Sequence, residues 1–165
     1  QGRRRGEFDA AVKADPRVAG EVGQAYADAG LYDAAVADFD RWIAGHPRSE
    51  DAAEALGARC EARLMLGQEL DQALADCSLS LRYQPGDSDV IVSRGMVELR
   101  LGQPDPALAD FNAVLRSRKD AWALFGRGVA ELRKGQTPKG EADIAAAKAV
   151  DADVAGEAAK IGLTP

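Results

Sequence analysis

The sequence predicts an all-α fold, a solenoid of four helix-turn-helix repeats closed by a C-terminal capping helix. Three observations carry that expectation. A small residue stands seven positions before a glycine four times: Gly23 and Gly30, Cys60 and Gly67, Gly95 and Gly102, Gly128 and Gly135. An Ala-Asp-apolar triplet follows each pair, at Ala37-Asp38-Phe39, Ala75-Asp76-Cys77, Ala109-Asp110-Phe111 and Ala142-Asp143-Ile144. The turn glycine then recurs after 37, 35 and 33 residues. A period in that range is the signature of stacked units, each of which buries its apolar face only against its neighbours.

Each unit reads as a helix, a tight turn and a second helix. Leucine, alanine, glutamate, arginine and lysine fill both arms, and all are good helix formers. The second glycine sits where the first helix must stop, because glycine takes a positive φ without a Cβ penalty. The first small residue faces the partner helix and lets two backbones approach closely. Ala35, Ala73, Ala107 and Gly140 oppose it, and four residues on comes an apolar wedge: Phe39, Cys77, Phe111 and Ile144.

On these residues the chain resembles the tetratricopeptide repeat family. Gly23-x2-Tyr26, Ala35-x3-Phe39 and Pro47 follow the family spacing, as do Ala73-x3-Cys77 and Pro85. Arg59-Cys60, Arg94-Gly95 and Arg127-Gly128 stand where leucine-glycine is usual, and this Arg-Gly variant is similar to that of many bacterial repeat proteins. The resemblance spans about residues 15–151. It implies a right-handed α-α superhelix that binds a protein or peptide in its concave groove, without catalysis.

Taken in order, residues 1–15 form either a solvated tail around Arg3-Arg4-Arg5 or a short capping helix. The second reading rests on Phe8-Asp9-Ala10-Ala11-Val12, which echoes Tyr32-Asp33-Ala34-Ala35-Val36. The repeats occupy 16–48, 49–86, 87–119 and 120–151. In repeat one, Pro16 fits a first helical turn, and Trp42 stands where the family prefers a small residue, so its ring should push the next helix outward. Repeat two starts early, with Ser49 as N-cap and Glu50 and Asp51 at the positive end of the helix dipole. Its extra residue falls in the turn between Gly67 and Leu74. Asp105-Pro106 in repeat three and Thr137-Pro138 in repeat four read as N-cap and first helical residue. In 152–165, Val154, Ala158 and Ile161 recur at helical spacing before Gly162 stops the capping helix.

Composition narrows the function. A net charge of −6 argues against nucleic acid as a partner, since domains that bind it carry a basic face. No run of about 18 apolar residues exists to span a membrane. The chain opens on Gln1, so a leader before it would not be visible. His46, the single histidine, stands at a helix end, where it can assist the dipole. No Cys/His cluster has zinc spacing, no strand precedes a Gly-rich loop, and no acid-base pair stands out. No catalytic residue, cofactor or metal is therefore expected.

Three patterns remain. Arg59, Arg94 and Arg127 occupy one matched place, where repeat one has Val22. Their expected partners are the aspartates of the preceding repeats, as Asp38–Arg59, Asp76–Arg94 and Asp110–Arg127; the alternative is a solvated row of charges. The inner wall implied by the resemblance should expose Arg17, Glu21, Gln24 and Asp28, then Glu54, Glu61, Leu64 and Met65. Asp89, Val92, Met96 and Arg100 come next, then Trp122, Phe125, Val129 and Arg133. That wall runs from acidic to apolar, and Met and aromatic side chains on such a face are binding material. Leu64 and Phe125 can equally belong to the inter-helix core.

The third pattern is the cysteines. Only repeat two departs at both the small position and the wedge, and it places cysteine at each, Cys60 and Cys77. Those positions face each other across the helix pair, which predicts a disulfide and hence an exported protein, periplasmic if bacterial. Two buried thiols in a cytoplasmic protein are the alternative. The function expected is a protein-binding scaffold, monomeric in its simplest form. The competing reading is a structural module of the cell envelope that self-associates into homodimers through its end faces or the Trp122 patch.

Overall fold

The computed structural model of the chain describes residues 5–10, 19–46 and 51–165. Residues 5–10 are helical. Four helix pairs follow: α1 (Ala19–Asp28) with α2 (Tyr32–Gly45), α3 (Asp51–Leu66) with α4 (Leu70–Tyr83), α5 (Ser88–Arg100) with α6 (Pro104–Leu115), and α7 (Ala121–Arg133) with α8 (Thr137–Val150). A short α9 (Val154–Lys160) closes the chain. Each helix packs on the next, and the first helices also touch one another, α3 on α5 and α5 on α7. The first helices therefore line one wall of an all-α solenoid and the second helices line the other, with no strand among the described residues.

The hairpin turns share one chemistry. Gly30, Gly67, Gly102 and Gly135 have φ of 71°, 67°, 75° and 76°, the left-handed region that a Cβ disfavours. The residue after each glycine reaches back to an orphan carbonyl in the last turn: Leu31 N–H to Tyr26 O, Gln68 to Arg63, Gln103 to Glu98 and Gln136 to Glu131. These are Schellman closures. They start the second helices sooner than the capping expectation allowed. Gln103 and Gln136 are the N-cap residues, without side-chain cap bonds; Pro104 and Thr137 are the first helical residues, and Asp105 is the second. The N-cap residues Leu31 and Glu69 of the earlier repeats likewise make no side-chain cap bond. Repeat two carries its extra residue in this turn, as expected, with Glu69 in the left-handed region at φ 53°. Asp87 and Asp120 do cap: their carboxylates accept from Val90 N–H at 3.1 Å and Ala123 N–H at 2.8 Å.

The small-residue positions meet the wedges. A Cβ on Gly23 would lie 2.7 Å from the Phe39 ring, and one on Gly95 would lie 2.7 Å from Phe111. Gly126 grips Phe111 from the other side, with a Cβ there 2.4 Å from the ring. Phe111 is thus held between two glycine backbones and fully buried, a burial worth about 1.5–3 kcal/mol. Gly128 and Gly140 replace the ring with direct backbone approach. In repeat two the same two positions bring Cys60 and Cys77 together, with Cα–Cα 5.5 Å and Sγ–Sγ 2.06 Å.

The Arg-Asp pairing has a different register from the one expected. Arg59 forks onto Asp76 at 2.8 and 2.6 Å, and Arg94 onto Asp110 at 2.7 and 2.7 Å. Arg127 forks onto Asp143 in the same way. The pairs lie within repeats, and none of the expected Asp38–Arg59, Asp76–Arg94 or Asp110–Arg127 contacts forms. The hairpin explains this: a residue one before the small position lies opposite the aspartate of its own antiparallel partner helix. The spare guanidinium nitrogen reaches the preceding repeat instead, Arg59 to Asp40 at 2.6 Å and Arg127 to Asn112 at 3.0 Å. Repeat one has Val22 in that place, and its fully buried Asp38 pairs with Arg41 of its own helix. Burial raises the Asp38 carboxyl above its ordinary value, and Arg41 opposes the rise.

At the ends, Phe8 meets Tyr26 edge-on at 5.0 Å, and the Tyr26 hydroxyl donates to Asp9 at 2.6 Å. Burial and that bond push the hydroxyl up to about 12. At the C-terminus, Val154, Ala158 and Ile161 are buried, Lys160 and Glu157 pair on the other side at 2.6 Å, and Gly162 at φ 73° ends α9. Leu163 is fully buried beyond it. The expectations for Arg3, Arg4, Ala11, Val12, Pro16, Arg17, Pro47, Ser49 and Glu50 fall outside the described residues.

Candidate functional site

The first helices leave three neighbouring cavities along their shared wall. The first, of about 550 Å³, lies between repeats one and two and is lined by Gly20, Glu21, Gln24, Phe39, Trp42, Glu54, Ala55 and Ala58. A narrow middle stretch of about 80 Å³ shares Gln24 and Ala58 with it and adds Asp28, Tyr32 and Glu61. The third, of about 300 Å³, shares Glu61 and is walled by Leu64, Met65, Asp89, Val92, Met96, Trp122 and Ile161.

The local cause of the first cavity is Trp42. The matched residues of the later repeats are Ser80, Val114 and Ala147, all buried, and the Ser80 hydroxyl donates to Ala53 O at 2.7 Å, so α3 lies close on α4. The indole cannot be accommodated that way. One face packs on Gly20, where a Cβ would stand 3.4 Å from the ring. The other face stacks on His46 at 3.9 Å. His46 is the C-cap of α2, and its Nδ1 lies 2.9 Å from Trp42 O, so it serves the helix end as expected. Fixed between these, the ring holds α1 off α3, and those two helices meet only sparsely.

The expected wall residues separate into four groups. Glu21, Gln24, Asp28, Glu54, Glu61, Met65, Asp89 and Trp122 line the groove and retain exposure. Val92, Met96 and Leu64 touch its floor but are nearly buried. Phe125 and Val129 are 0% and 1% exposed and belong to the core, where the C-terminal Ile161 and Leu163 join the same apolar cluster. The expectation of exposure at Phe125 and Val129 is therefore corrected: the closing segment covers that end of the wall. Arg100 and Arg133 do not line the groove. Arg100 donates to Ile161 O and Arg133 to Leu99 O, so both tie the wall together. Gly20, Phe39, Ala55, Ala58, Ser93, Asp120 and Ile161 were not expected at the site; the outsized Trp42 was the one signal for the first four.

Carboxylates dominate the groove's charge. Partial loss of water in the groove raises the otherwise exposed Glu61 carboxyl above its ordinary value, and the neighbouring Asp89 and Asp28 raise it further. Asp89 is held by Arg118 at 2.5 Å, while no described cation pairs with Glu21, Glu54 or Glu61. Among the described residues no cluster of three or more His, Cys, Asp or Glu is placed to hold a metal, and no described helix is long and apolar enough to cross a membrane.

No family model matches the chain, and no curated protein matches it. Solved structures do. The structure of MamA is 21% identical over 93% of this chain and 94% of its own, with TM-score 0.72. TTC0263, a thermophilic TPR protein of Thermus thermophilus, is 21% identical over 93% of this chain and 86% of its own, with TM-score 0.69. YrrB, described as a TPR protein with an unusual peptide-binding site, is 19% identical over 94% of this chain and 80% of its own, with TM-score 0.67. Four glycine-turned helix hairpins in an all-α solenoid, superposable on these proteins over nearly its whole length, give this chain the tetratricopeptide-repeat fold.

Proposed function

We propose that the chain is a non-enzymatic interaction module whose groove takes a peptide or partner segment. The observation that carries this reading is adjacency: three cavities follow one another along the first helices, neighbours sharing Gln24, Ala58 and Glu61 in their walls. The similar YrrB, with its peptide-binding site, supports it by analogy. The ligand pairs basic residues, facing Glu21, Glu54 and Glu61, with an apolar anchor beside Met65 and Trp122. Nucleic acid is disfavoured by the same carboxylates.

The test uses Ala58→Arg, which plugs the groove where the first and middle cavities meet. Ala58 is half-buried, so a long side chain can extend into the groove without entering the core. A partner recovered with the parent chain should be lost with this variant while its helical circular dichroism is unchanged. Equal recovery by both would refute the groove.

We propose further that Cys60 and Cys77 form a persistent disulfide and that the protein works in an oxidising compartment outside the cytoplasm, the periplasm in a bacterium. The adjacency of the two sulfurs supports this, as does the known rarity of such bonds in reducing compartments. Thiol titration of denatured, unreduced protein should find no free thiol. Two per chain would remove both the bridge and the case for export.

A further inference from the structure

We infer that the groove reads the order of side chains in its partner: a large apolar residue beside Trp42, then cationic residues, then a second apolar residue beside Trp122. This rests on the groove reading above and adds to it a second anchor and a sequence order.

The first cavity is floored by Phe39, Ala55 and Ala58, walled by the edge of an indole whose two faces are already covered, and lined as well by the carboxylates of Glu21 and Glu54. An indole fixed in that way is a preformed apolar wall, and its 550 Å³ lies within the range of sites that enclose a substantial group. A large apolar side chain fits there without rearrangement. The middle stretch, at 80 Å³, is too narrow for such a group. It presents Glu61 and Asp28 instead, and Gln24 already occupies Asp28 with a 2.8 Å bond. Glu61 faces the partner's cation here, with Glu21 and Glu54 of the first cavity beside it. The third cavity turns apolar again, with Leu64, Met65, Met96, Trp122 and Ile161. Charge complementarity and cavity size together specify apolar, basic, apolar. Ile161 comes from the C-terminal segment held by Arg100, so the closing segment builds part of the second anchor site.

The chain's two tryptophans stand one at each anchor site. Trp42→Phe and Trp122→Phe therefore give single-tryptophan proteins that report each end separately. The probes are dye-labelled synthetic peptides with a phenylalanine and a leucine separated by two to five lysines, and isomers of equal composition with both apolar residues at one end. The best straddled peptide should bind at least tenfold tighter than its isomer by anisotropy. It should shift the emission of both single-tryptophan proteins, and Glu61→Gln should weaken it at least fivefold. Equal affinity for the isomers, a response from only one tryptophan, or no binding by any peptide would overturn the proposed order. The groove itself is judged by Ala58→Arg and its natural partner: loss there with indistinguishable isomers leaves the groove standing and removes only the order.

Discussion

Glu98 should make the fold less stable as pH rises through neutrality. It lies one turn beyond Arg94, is 7% exposed, and has a buried Oε2 with no hydrogen-bond partner. Arg94 spends two bonds on Asp110, so two carboxyls share one guanidinium. Burial, followed by repulsion from Asp110, pushes the Glu98 carboxyl from 4.5 to about 7 against the attraction of Arg94. A rise of that size disfavours the charged side chain in the folded state by about 3 kcal/mol. The sign follows from linkage. Stability is complete below the unfolded-state value, declines as pH rises through the interval between the two values, and levels off above about 7. Glu98→Gln keeps the shape and removes the charge. Urea unfolding of both proteins from pH 4 to 9 should give nearly equal stabilities at the acid end, with the variant ahead by about 3 kcal/mol above pH 7. Taking the difference between the two proteins cancels the contributions of Asp38, Glu61 and Glu131, which are raised in both. A difference that stays constant across the range would refute the reasoning.

Three other outcomes follow from the packing. Gly95→Ala should destabilise by about 1–3 kcal/mol in urea unfolding, because Gly126 blocks retreat of the Phe111 ring; Gly156→Ala, with open space around it, should instead stabilise by up to about 1 kcal/mol. If both substitutions had the same sign, the glycine grip on Phe111 would not be the cause. Arg94→Met should cost about 3–5 kcal/mol at pH 8 by thermal or urea unfolding, since it strands the nearly buried Asp110 charge, and a loss under 1 kcal/mol would show that water reaches the carboxylate. Reducing Cys60–Cys77, which closes a 17-residue separation, should lower the urea midpoint by the equivalent of about 3 kcal/mol; an unchanged midpoint would mean that no bridge constrains the unfolded chain.

The glycine spacing made the hairpins legible because a positive φ at the turn and a missing Cβ at the crossing are requirements on single residues. Gly30 and Gly23 state them without reference to anything distant. The arginine register was not legible in the same way. Asp76 stands 17 residues after Arg59 and 18 before Arg94, so spacing alone allows either partner. The choice depends on which face of α3 meets α4, a packing fact that no single residue announces. The groove was half legible. Glu21, Glu54 and Glu61 are charged, and a charged side chain is seldom buried unless it is paired. Phe125 and Val129 suit a binding wall and a core equally well, and their fate was decided by Ile161 and Leu163, more than thirty positions downstream.

The self-contained pairing of each arginine has a consequence for how such a chain can change length. Arg59, Arg94 and Arg127 each find their carboxylate inside their own hairpin, and the links that cross to the preceding repeat end on exposed Asp40 and Asn112. A hairpin copied or deleted as a block carries its buried charges with their partners and leaves none stranded at the new junction. What a junction must still match is shape, as where the Phe111 ring meets Gly126 of the next repeat. In this chain each of the three later hairpins closes its own Arg-Asp pair, while steric fit decides which neighbours a hairpin accepts.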